Sequence, residues 1–504
     1  MDMTEPVVRT AAGLVRGRVD QAGSGVASFL GIPFASPPVG DLRFLAPHPP
    51  VPWDGVRDAV AFGPPPPQSA LGFPAPSAAE HGRDPYDWLT VNVFTKDLGA
   101  ARNPVMVWIY GGAYRSGAAS LPGYDGTLLA GQNVVVVTFN HRVGVEGYAY
   151  LPGAPANRAL LDQVAALRWV RENIAAFGGD PGRVTIFGES AGAGAVAALL
   201  VVPSAAGLFR RAIAQSVPAT FFSPALAGEV TAAIAAQAGL PATAAAFAAV
   251  DPAVLAAASD AVRPGDHGER WGPVAHTSVP FSPVVDGEVL PAAPWRAVAT
   301  GTARDIDLIA GHNRDEFRLF TAVSGLRGRV TAEMAAAALA ALVPGGDGEK
   351  AYRTAYPDAD PETLFELVNS DWLFRMPSLH LAQAHAAAGG KTFLYEVGYP
   401  AAVDGLGACH AIDVPLVFGD YRGLGQMLFG TPPPPSALAV GNVMREQWAA
   451  FAADGDPGWL PYSVGRRMTR IFDDPPEVAP YPEQASMHIW DQHRFGVLDV
   501  EHVA

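Results

Sequence analysis

The pattern of apolar positions along the chain alternates between continuous runs and stretches with helical spacing. Residues 105–109 and 134–139 are uninterrupted apolar or β-branched runs, which is typical of strands buried on both faces of a mostly parallel sheet. Between residues 160 and 177 apolar residues recur every three or four positions, and 178–181 (Gly-Gly-Asp-Pro) end this predicted helix. The alternation of strand and helix predicts an α/β fold.

The remaining segments fit the same architecture. Short β-like runs between Pro and Gly turns in residues 1–60 predict an antiparallel edge, and the Pro-, Ala- and Ser-rich residues 61–80 predict a surface loop. The later pattern predicts short strands at 308–311 and 392–397, Ala-rich helices at about 226–238, 331–343, 375–388 and 438–453, and a Pro-rich loop at 431–435. Because no repeat or linker divides the chain, we expect one domain over residues 1–504 with helical insertions.

The most informative stretch is Val184–Gly192. A β-branched and aromatic run ends in Gly-Glu-Ser-Ala-Gly, and an Ala-rich helical run follows at once. Strand, sharp turn and helix with a serine at the apex are the geometry of a nucleophile elbow, and the glycines relieve crowding at such a turn. In a chain with 54 glycines the motif alone could be an ordinary turn. The flanking elements favour Ser190 as a nucleophile and the Ala191 amide, at a helix N-terminus, as an oxyanion donor.

A nucleophilic serine needs a base, an orienting acid and further oxyanion donors. The chain has 12 histidines, of which His410 lies in a loop of small residues that suits a catalytic side chain. The acid should follow a strand and lie between serine and histidine in chain order. Asp315 and Glu316 both meet this condition, and the spacing does not choose between them. After an early strand, 111–113 (Gly-Gly-Ala) offers backbone amides.

Composition and charge narrow the function classes. The net charge of −15, without a Lys/Arg cluster, argues against a nucleic-acid partner. A single cysteine, Cys409, allows no intramolecular disulfide and no cysteine metal cluster, and it favours a reducing compartment. The N-terminal residues have no apolar signal core, and the longest apolar run, 191–203, is too short to span a bilayer. We therefore expect a soluble cytoplasmic protein.

Several motifs together resemble the type-B carboxylesterase family of the α/β-hydrolase fold, which includes bacterial para-nitrobenzyl esterase-like enzymes and the cholinesterases. The matching segments cover nearly the whole chain and include Gly31–Ala35, Leu89–Val93, Asn140–Gly144, Asp162–Pro181, Phe187–Gly192, Phe281–Gly287, Asn313–Glu316 and the His410 loop up to Gly419. The resemblance implies a serine carboxylesterase that acts on small-molecule esters and needs no metal or organic cofactor.

The resemblance also assigns roles. The family's acid is a Glu in an Asp-Glu pair, so Glu316 rather than Asp315 joins Ser190 and His410 in a catalytic triad. The implied oxyanion donors are the backbone amides of Gly112, Ala113 and Ala191. Glu189 is expected close to the triad but outside it.

Beyond the triad, the resemblance implies a structural ion pair between Arg142 and Asp162, and the chain departs from the family's pattern at three places. Residues 86–89 (Tyr-Asp-Trp-Leu) replace a Glu-Asp-Cys-Leu sequence, so the usual Glu partner of Arg43 is missing. Tyr110 stands where bacterial relatives commonly carry His. Ala113 replaces the third Gly, and its methyl group is expected to tighten the pocket around bulky alcohol groups.

Two alternatives to ester hydrolysis remain at this point. One is the same machinery acting on amide, carbamate or thioester bonds, and the other is a catalytically silent binding module. We expect a monomer, with a homodimer as the alternative. The acyl side of the pocket is expected near 276–281, and the alcohol side near the 61–80 loop and the aromatic residues Phe317, Phe320, Trp372 and Phe374.

Overall fold

The computed structural model describes residues 5–20, 23–69, 84–99 and 102–501. Within these residues the chain forms an eleven-stranded sheet and a three-stranded sheet. The strands in chain order are β1 (Val7–Arg9), β2 (Leu14–Arg16), β3 (Arg18–Val19), β4 (Ala27–Pro33), β5 (Val56–Asp58), β6 (Thr90–Thr95), β7 (Asn103–Ile109), β8 (Val135–Phe139), β9 (Gly179–Glu189), β10 (Arg211–Gln215), β11 (Asp307–Asn313), β12 (Thr392–Val397), β13 (Met468–Phe472) and β14 (Glu477–Pro480).

The large sheet has the order β14-β13-β12-β11-β10-β9-β7-β8-β6-β4-β3. Its centre, from β8 to β13, is parallel, whereas β6, β4 and β3 at one edge and β14 at the other run antiparallel to their neighbours. The predicted antiparallel N-terminal edge is therefore confirmed. Because parallel strands end at the same edge, the loops after β7, β9, β10 and β11 meet there.

Helices connect and flank the strands. They are, in chain order, α1 (Thr127–Ala130), α2 (Gly144–Tyr148), α3 (Arg158–Asn173), α4 (Ala191–Leu199), α5 (Pro224–Ala238), α6 (Ala244–Ala248), α7 (Pro252–Ala261), α8 (Pro294–Ala299), α9 (Arg318–Val323), α10 (Ala332–Leu342), α11 (Gly348–Ala355), α12 (Pro361–Ser370), α13 (Met376–Ala387), α14 (Asp413–Phe418), α15 (Leu424–Phe429), α16 (Pro435–Asp454) and α17 (Gln484–Trp490). A single π-helical turn, Asp371–Arg375, joins α12 to α13.

The large sheet is buried on both faces, as the apolar runs predict. In β7, Val105, Val107 and Ile109 pack into one hydrophobic cluster, while Met106 and Trp108 pack into another on the opposite face. Helices α3, α4 and α13 contribute to the first cluster, and α14 and α16 to the second. The result is a three-layer arrangement with the sheet between two helical layers.

The helices and strands that the sequence predicts are present, with bounds that differ by a few residues. The predicted 160–177 helix is α3 followed by a 3₁₀ turn at Ile174–Phe177. In the predicted 61–80 loop, residues 61–69 form no helix or strand, and 70–80 lie outside the described residues. Among the described helices, none combines the length and the hydropathy needed to cross a bilayer.

Candidate active site

Ser190 occupies the strained turn that the motif predicts. It follows β9 directly, precedes α4 and has φ +56° and ψ −124°, a region that side chains rarely adopt. A Cβ on Gly188 would lie 2.7 Å from the carbonyl oxygen of Ile109, and one on Gly192 would overlap that same oxygen. The two glycines therefore let β7 pass close beside the turn, and Ser190 remains half-buried at its apex.

The loop after β7 packs against this turn. A Cβ on Gly111 would lie 3.1 Å from the Cβ atom of Ser190, which shows how closely the two backbones approach. Gly112 and Ala113 follow with φ values of +121° and +56°, and both are partly exposed. Among the described residues, the N–H groups of Gly112, Ala113 and Ala191 donate to no other protein group. Three free donors beside Ser190 fit an oxyanion site.

Tyr110 anchors the base of the loop. Its hydroxyl donates to the carbonyl oxygen of His141 and accepts from the His141 N–H, both at 3.1 Å. The two rings stack with a centroid distance of 4.4 Å. Tyr110 is therefore a buried structural support for this loop.

His410 and Glu316 form a short, buried pair. Nδ1 of His410 lies 2.6 Å from Oε2 of Glu316, and the backbone N–H of His410 donates to the Glu316 carbonyl oxygen. The other carboxylate oxygen, Oε1, accepts from the Ser216 hydroxyl at 2.5 Å and from the Asn313 N–H at 2.8 Å. Because both oxygens are engaged, the carboxylate is held in one orientation toward the imidazole. Sequence reasoning missed Ser216, since its role depends on the position of β10 between β9 and β11.

Asp315, the other candidate acid, binds the Ala408 N–H and Arg318 instead of the imidazole. Its carboxylate accepts from the Ala408 N–H at 2.9 Å and lies 3.1 Å from the guanidinium of Arg318. It therefore secures the loop that carries His410.

Glu189 contacts the imidazole of His410 at Nε2, and two aromatic rings pack against the imidazole. Nε2 of His410 lies 3.0 Å from Oε1 of Glu189, at ion-pair distance but without hydrogen-bond alignment. Phe374 stacks on the imidazole with a centroid distance of 4.2 Å, and Phe320 lies at 5.0 Å. Of the predicted wall residues, Trp372 instead packs in the main core. The sequence places Glu189 near the site, but the direct contact with His410 was not predicted.

Burial and charge shift the pKa values of this cluster upward. Burial raises the pKa of the Glu189 carboxyl to about 8, and the nearby Asp413 and Glu316 carboxylates act in the same direction against His410. Burial lowers the pKa of His410, but the Glu189 and Glu316 carboxylates outweigh this and raise it to about 9. The neutral imidazole that a general base requires is therefore favoured at alkaline pH.

A third buried carboxylate, that of Asp413, lies close to Glu189, Glu316 and His410. Oδ2 of Asp413 accepts from Nε2 of Gln215 at 2.8 Å and from the Tyr395 hydroxyl at 3.0 Å. Burial raises the pKa of Asp413. The sequence carries no signal for this group, because its three members come together only through the strand order.

Two buried ion pairs hold the surrounding scaffold. The predicted pair between Arg142 and Asp162 is confirmed, with an N–O distance of 2.7 Å and no exposure of either side chain. Arg43, which was expected to lack its usual partner, lies 2.6 Å from Oε1 of Glu146 and also donates to the carbonyl oxygen of Val250. Removing one partner of such a buried pair typically lowers the free energy of unfolding by about 3–5 kcal/mol.

In the expected acyl region, Phe281 belongs to one hydrophobic cluster together with Tyr148 and Phe222. In the described part of the chain, no group of three or more His, Cys, Asp or Glu side chains is arranged to hold a metal ion.

A serine on such a turn beside free backbone donors is built for attack on a carbonyl carbon, so the class of protein is a serine hydrolase with an α/β sheet. Comparison with known proteins defines the family. Residues 4–471 match the model of the carboxylesterase family. The chain is 36% identical to the para-nitrobenzyl esterase of Bacillus subtilis (strain 168), over 95% of this chain and 97% of that protein. It is 34% identical to the fumonisin B1 esterase of Sphingopyxis macrogoltabida, over 88% and 81%.

Solved structures of esterases have the same fold as this chain. A carboxylesterase of Geobacillus stearothermophilus superimposes with a TM-score of 0.83 at 35% identity, covering 96% of this chain and 99% of that chain. A PNB esterase gives the same TM-score at 34% identity. The chain belongs to the carboxylesterase family. It has the α/β-hydrolase fold and is a serine carboxylesterase, a carboxylic ester hydrolase.

Proposed function

We propose that the chain hydrolyses small-molecule carboxylic esters with Ser190 as nucleophile, His410 as general base and Glu316 as the orienting acid. The observation that carries the assignment of base and acid is the 2.6 Å contact between His410 and Glu316, with both carboxylate oxygens engaged. The strained turn at Ser190 supports its assignment as nucleophile. In the proposed reaction, Nε2 of His410 takes the Ser190 proton as Oγ attacks the ester carbonyl. The backbone amides of Gly112, Ala113 and Ala191 bind the resulting oxyanion, and loss of one such donor typically costs about 2.7–4 kcal/mol of transition-state stabilisation.

The second half of the proposed reaction reverses the proton transfer. His410 protonates the leaving alcohol, which leaves an acyl group on Ser190. Water, deprotonated by His410, then attacks the acyl carbonyl, and His410 passes this proton to Oγ of Ser190 as the bond to the acyl group breaks and the acid is released. Because Glu189 lies 3.0 Å from the same Nε2 atom, its carboxyl competes with Ser190 for the imidazole whenever it is ionised. We therefore propose that Glu189 sets the pH range of activity without itself joining the triad.

The direct test is hydrolysis of p-nitrophenyl esters from acetate to laurate, together with amides of matched acyl groups. We expect turnover of the esters, with the amides much slower. A folded protein that is labelled at Ser190 by a fluorophosphonate yet hydrolyses none of the esters would overturn the proposal. A protein that is not labelled would overturn the nucleophile assignment itself.

The pH dependence offers a specific prediction for Glu189. Glu189→Gln removes a carboxylate that raises the pKa of His410. The imidazole then becomes neutral at lower pH, so the acid limb of kcat/KM should move down by at least about one pH unit. The control is Glu288→Gln, which changes an exposed carboxyl. A limb that stays in place or moves upward would show that Glu189 does not act on His410.

A prediction for the alcohol side follows from Ala113. The residue has φ +56°, and its methyl group lies beside a proposed oxyanion donor. Ala113→Gly should preserve the amide and enlarge the space next to the carbonyl, so bulky alcohols gain most. We expect kcat/KM for tert-butyl acetate to rise by at least about tenfold relative to ethyl acetate. An unchanged ratio would mean that this methyl group does not limit the pocket.

We further propose one domain over residues 1–504, a monomeric state and a cytoplasmic location. The support for one domain is that β3 and β14 belong to the same sheet. A fold built with a single, buried cysteine suits a reducing compartment. Light scattering after size exclusion tests the monomer, with a dimer mass as the contrary result, and fractionation of the source cells tests the location.

A further inference from the structure

The π-helical turn Asp371–Arg375 carries the ring that covers the proposed base. Phe374 belongs to this turn and stacks on His410 with an interplanar angle of 29°. Such π-helical turns inside a longer helix are rare and occur frequently at functional sites. Whatever fixes this turn therefore also fixes one face of the imidazole.

Arg375, the last residue of the turn, is a junction between three segments. Its side chain is 2% exposed, and each of its nitrogen atoms meets a different segment. Nε lies 3.0 Å from Oδ1 of Asp371 in the same turn, and Nη2 lies 2.6 Å from Oε2 of Glu483. Nη1 donates to the carbonyl oxygen of Arg314 at 3.2 Å. A planar guanidinium fixes the relative directions of all three contacts, which a flexible ammonium group cannot do.

The contact with Arg314 connects this junction to the proposed acid. Arg314 lies two residues before Glu316, in the segment that follows β11. The imidazole of His410 is thus held between Glu316, at Nδ1, and Phe374, on its face. Arg375 thus connects the backbone of the segment that carries Glu316 to the π-helical turn that carries Phe374.

Further hydrogen bonds connect Asp371 to α11 and to the C-terminal part of the chain. Asp371 accepts hydrogen bonds from the hydroxyls of Tyr352, at 2.6 Å, and Ser486. Nε1 of Trp490 in turn donates to the Tyr352 hydroxyl at 2.7 Å. Glu483, Ser486 and Trp490 all lie after residue 471, where the match to the family model ends. The C-terminal part of the chain thus completes the support of Arg375.

We propose that Arg375 is a positioning residue for ester hydrolysis, which holds the Glu316 segment and the Phe374 turn in one arrangement around His410. The inference rests on the proposed triad roles of His410 and Glu316. A displacement of the imidazole by about 1 Å can cost roughly 10²-fold in rate, so loss of the junction should appear in kcat. Binding of the ester ground state does not involve Arg375, so KM should change little.

The test compares Arg375→Met and Arg375→Lys with Arg353→Met, which removes a half-exposed arginine from the Glu349 ion pair on α11. Active sites are counted by fluorophosphonate labelling of Ser190, and kcat for p-nitrophenyl butyrate is expressed per labelled site. We expect Arg375→Met to lower this kcat by about tenfold or more with KM within about threefold. Arg375→Lys should recover part of the loss, and Arg353→Met should match the wild type.

The readout separates positioning from stability, since a purely structural role reduces the number of labelled sites but not kcat per site. Glu483→Gln is the second variant if Arg375→Met does not fold, because it keeps the contact between Arg375 and Asp371 and should lower kcat per site by a smaller factor. Unchanged kcat per site in the variant that folds would overturn the proposal. A wild-type protein without esterase activity would instead overturn the proposed triad, and this inference with it.

Discussion

Ser190→Ala is expected to reduce hydrolysis of p-nitrophenyl acetate and butyrate by roughly 10⁴-fold or more, to background. The members of such a triad act as a unit, so the loss of the nucleophile alone removes most of the rate enhancement. The fold should persist, because the turn depends on Gly188 and Gly192 and the alanine keeps the Cβ atom of the serine. The measurement is the initial rate, with the melting temperature as the test of folding.

Ser204→Ala, which changes an exposed serine in a 3₁₀ turn, is the matched control and should retain full activity. Residual hydrolysis by Ser190→Ala above about one per cent of wild type, after removal of contaminating esterases, would refute the assignment of the nucleophile.

Glu316→Gln is expected to lower kcat/KM by about 10⁴-fold, although the new side chain has almost the same shape. The Ser216 hydroxyl and the Asn313 N–H both donate to Oε1, so the amide oxygen of Gln must occupy that position. The amide nitrogen then faces Nδ1 of His410. Both are hydrogen-bond donors when Nδ1 carries its proton, so they repel each other. The imidazole must present its lone pair there and carry its proton on Nε2, which cannot accept the proton of Ser190.

The neighbouring carboxylate provides the control for this prediction. In Asp315→Asn, an amide oxygen can still accept from the Ala408 N–H, so activity should stay within about tenfold of wild type. Comparable losses in the two variants would indicate that both carboxylates serve only the fold of the His410 loop.

The main features of this fold could be predicted from the sequence because the central strands are continuous apolar runs between turns. The elbow could also be predicted, because its strand, glycines and helix are adjacent in the chain. By contrast, β10 (Arg-Ala-Ile-Ala-Gln) is short and Ala-rich, so its pattern does not differ from that of a helix. The π-helical turn also has no sequence signal, because it lies within one long helical pattern.

The site was harder to predict because its members come from distant parts of the chain. The surrounding loop of small residues favoured His410 among 12 histidines, but only the family resemblance distinguished Glu316 from Asp315. The partners of Glu316 and the contact between Glu189 and His410 depend on strand order and on side-chain direction. The structure also gives Arg43 a carboxylate partner, Glu146, from α2, although the local sequence lacks the usual one.

The backbone of Ser190 has a consequence for how this enzyme can change under selection. Its φ and ψ angles belong to a region that glycine enters freely, and a side chain there costs about 1–3 kcal/mol. Ser190→Gly, which removes the nucleophile, is thus a substitution that should relax the fold. Laboratory evolution that selects for thermal stability alone would favour stable but inactive variants, so an activity screen has to accompany every round.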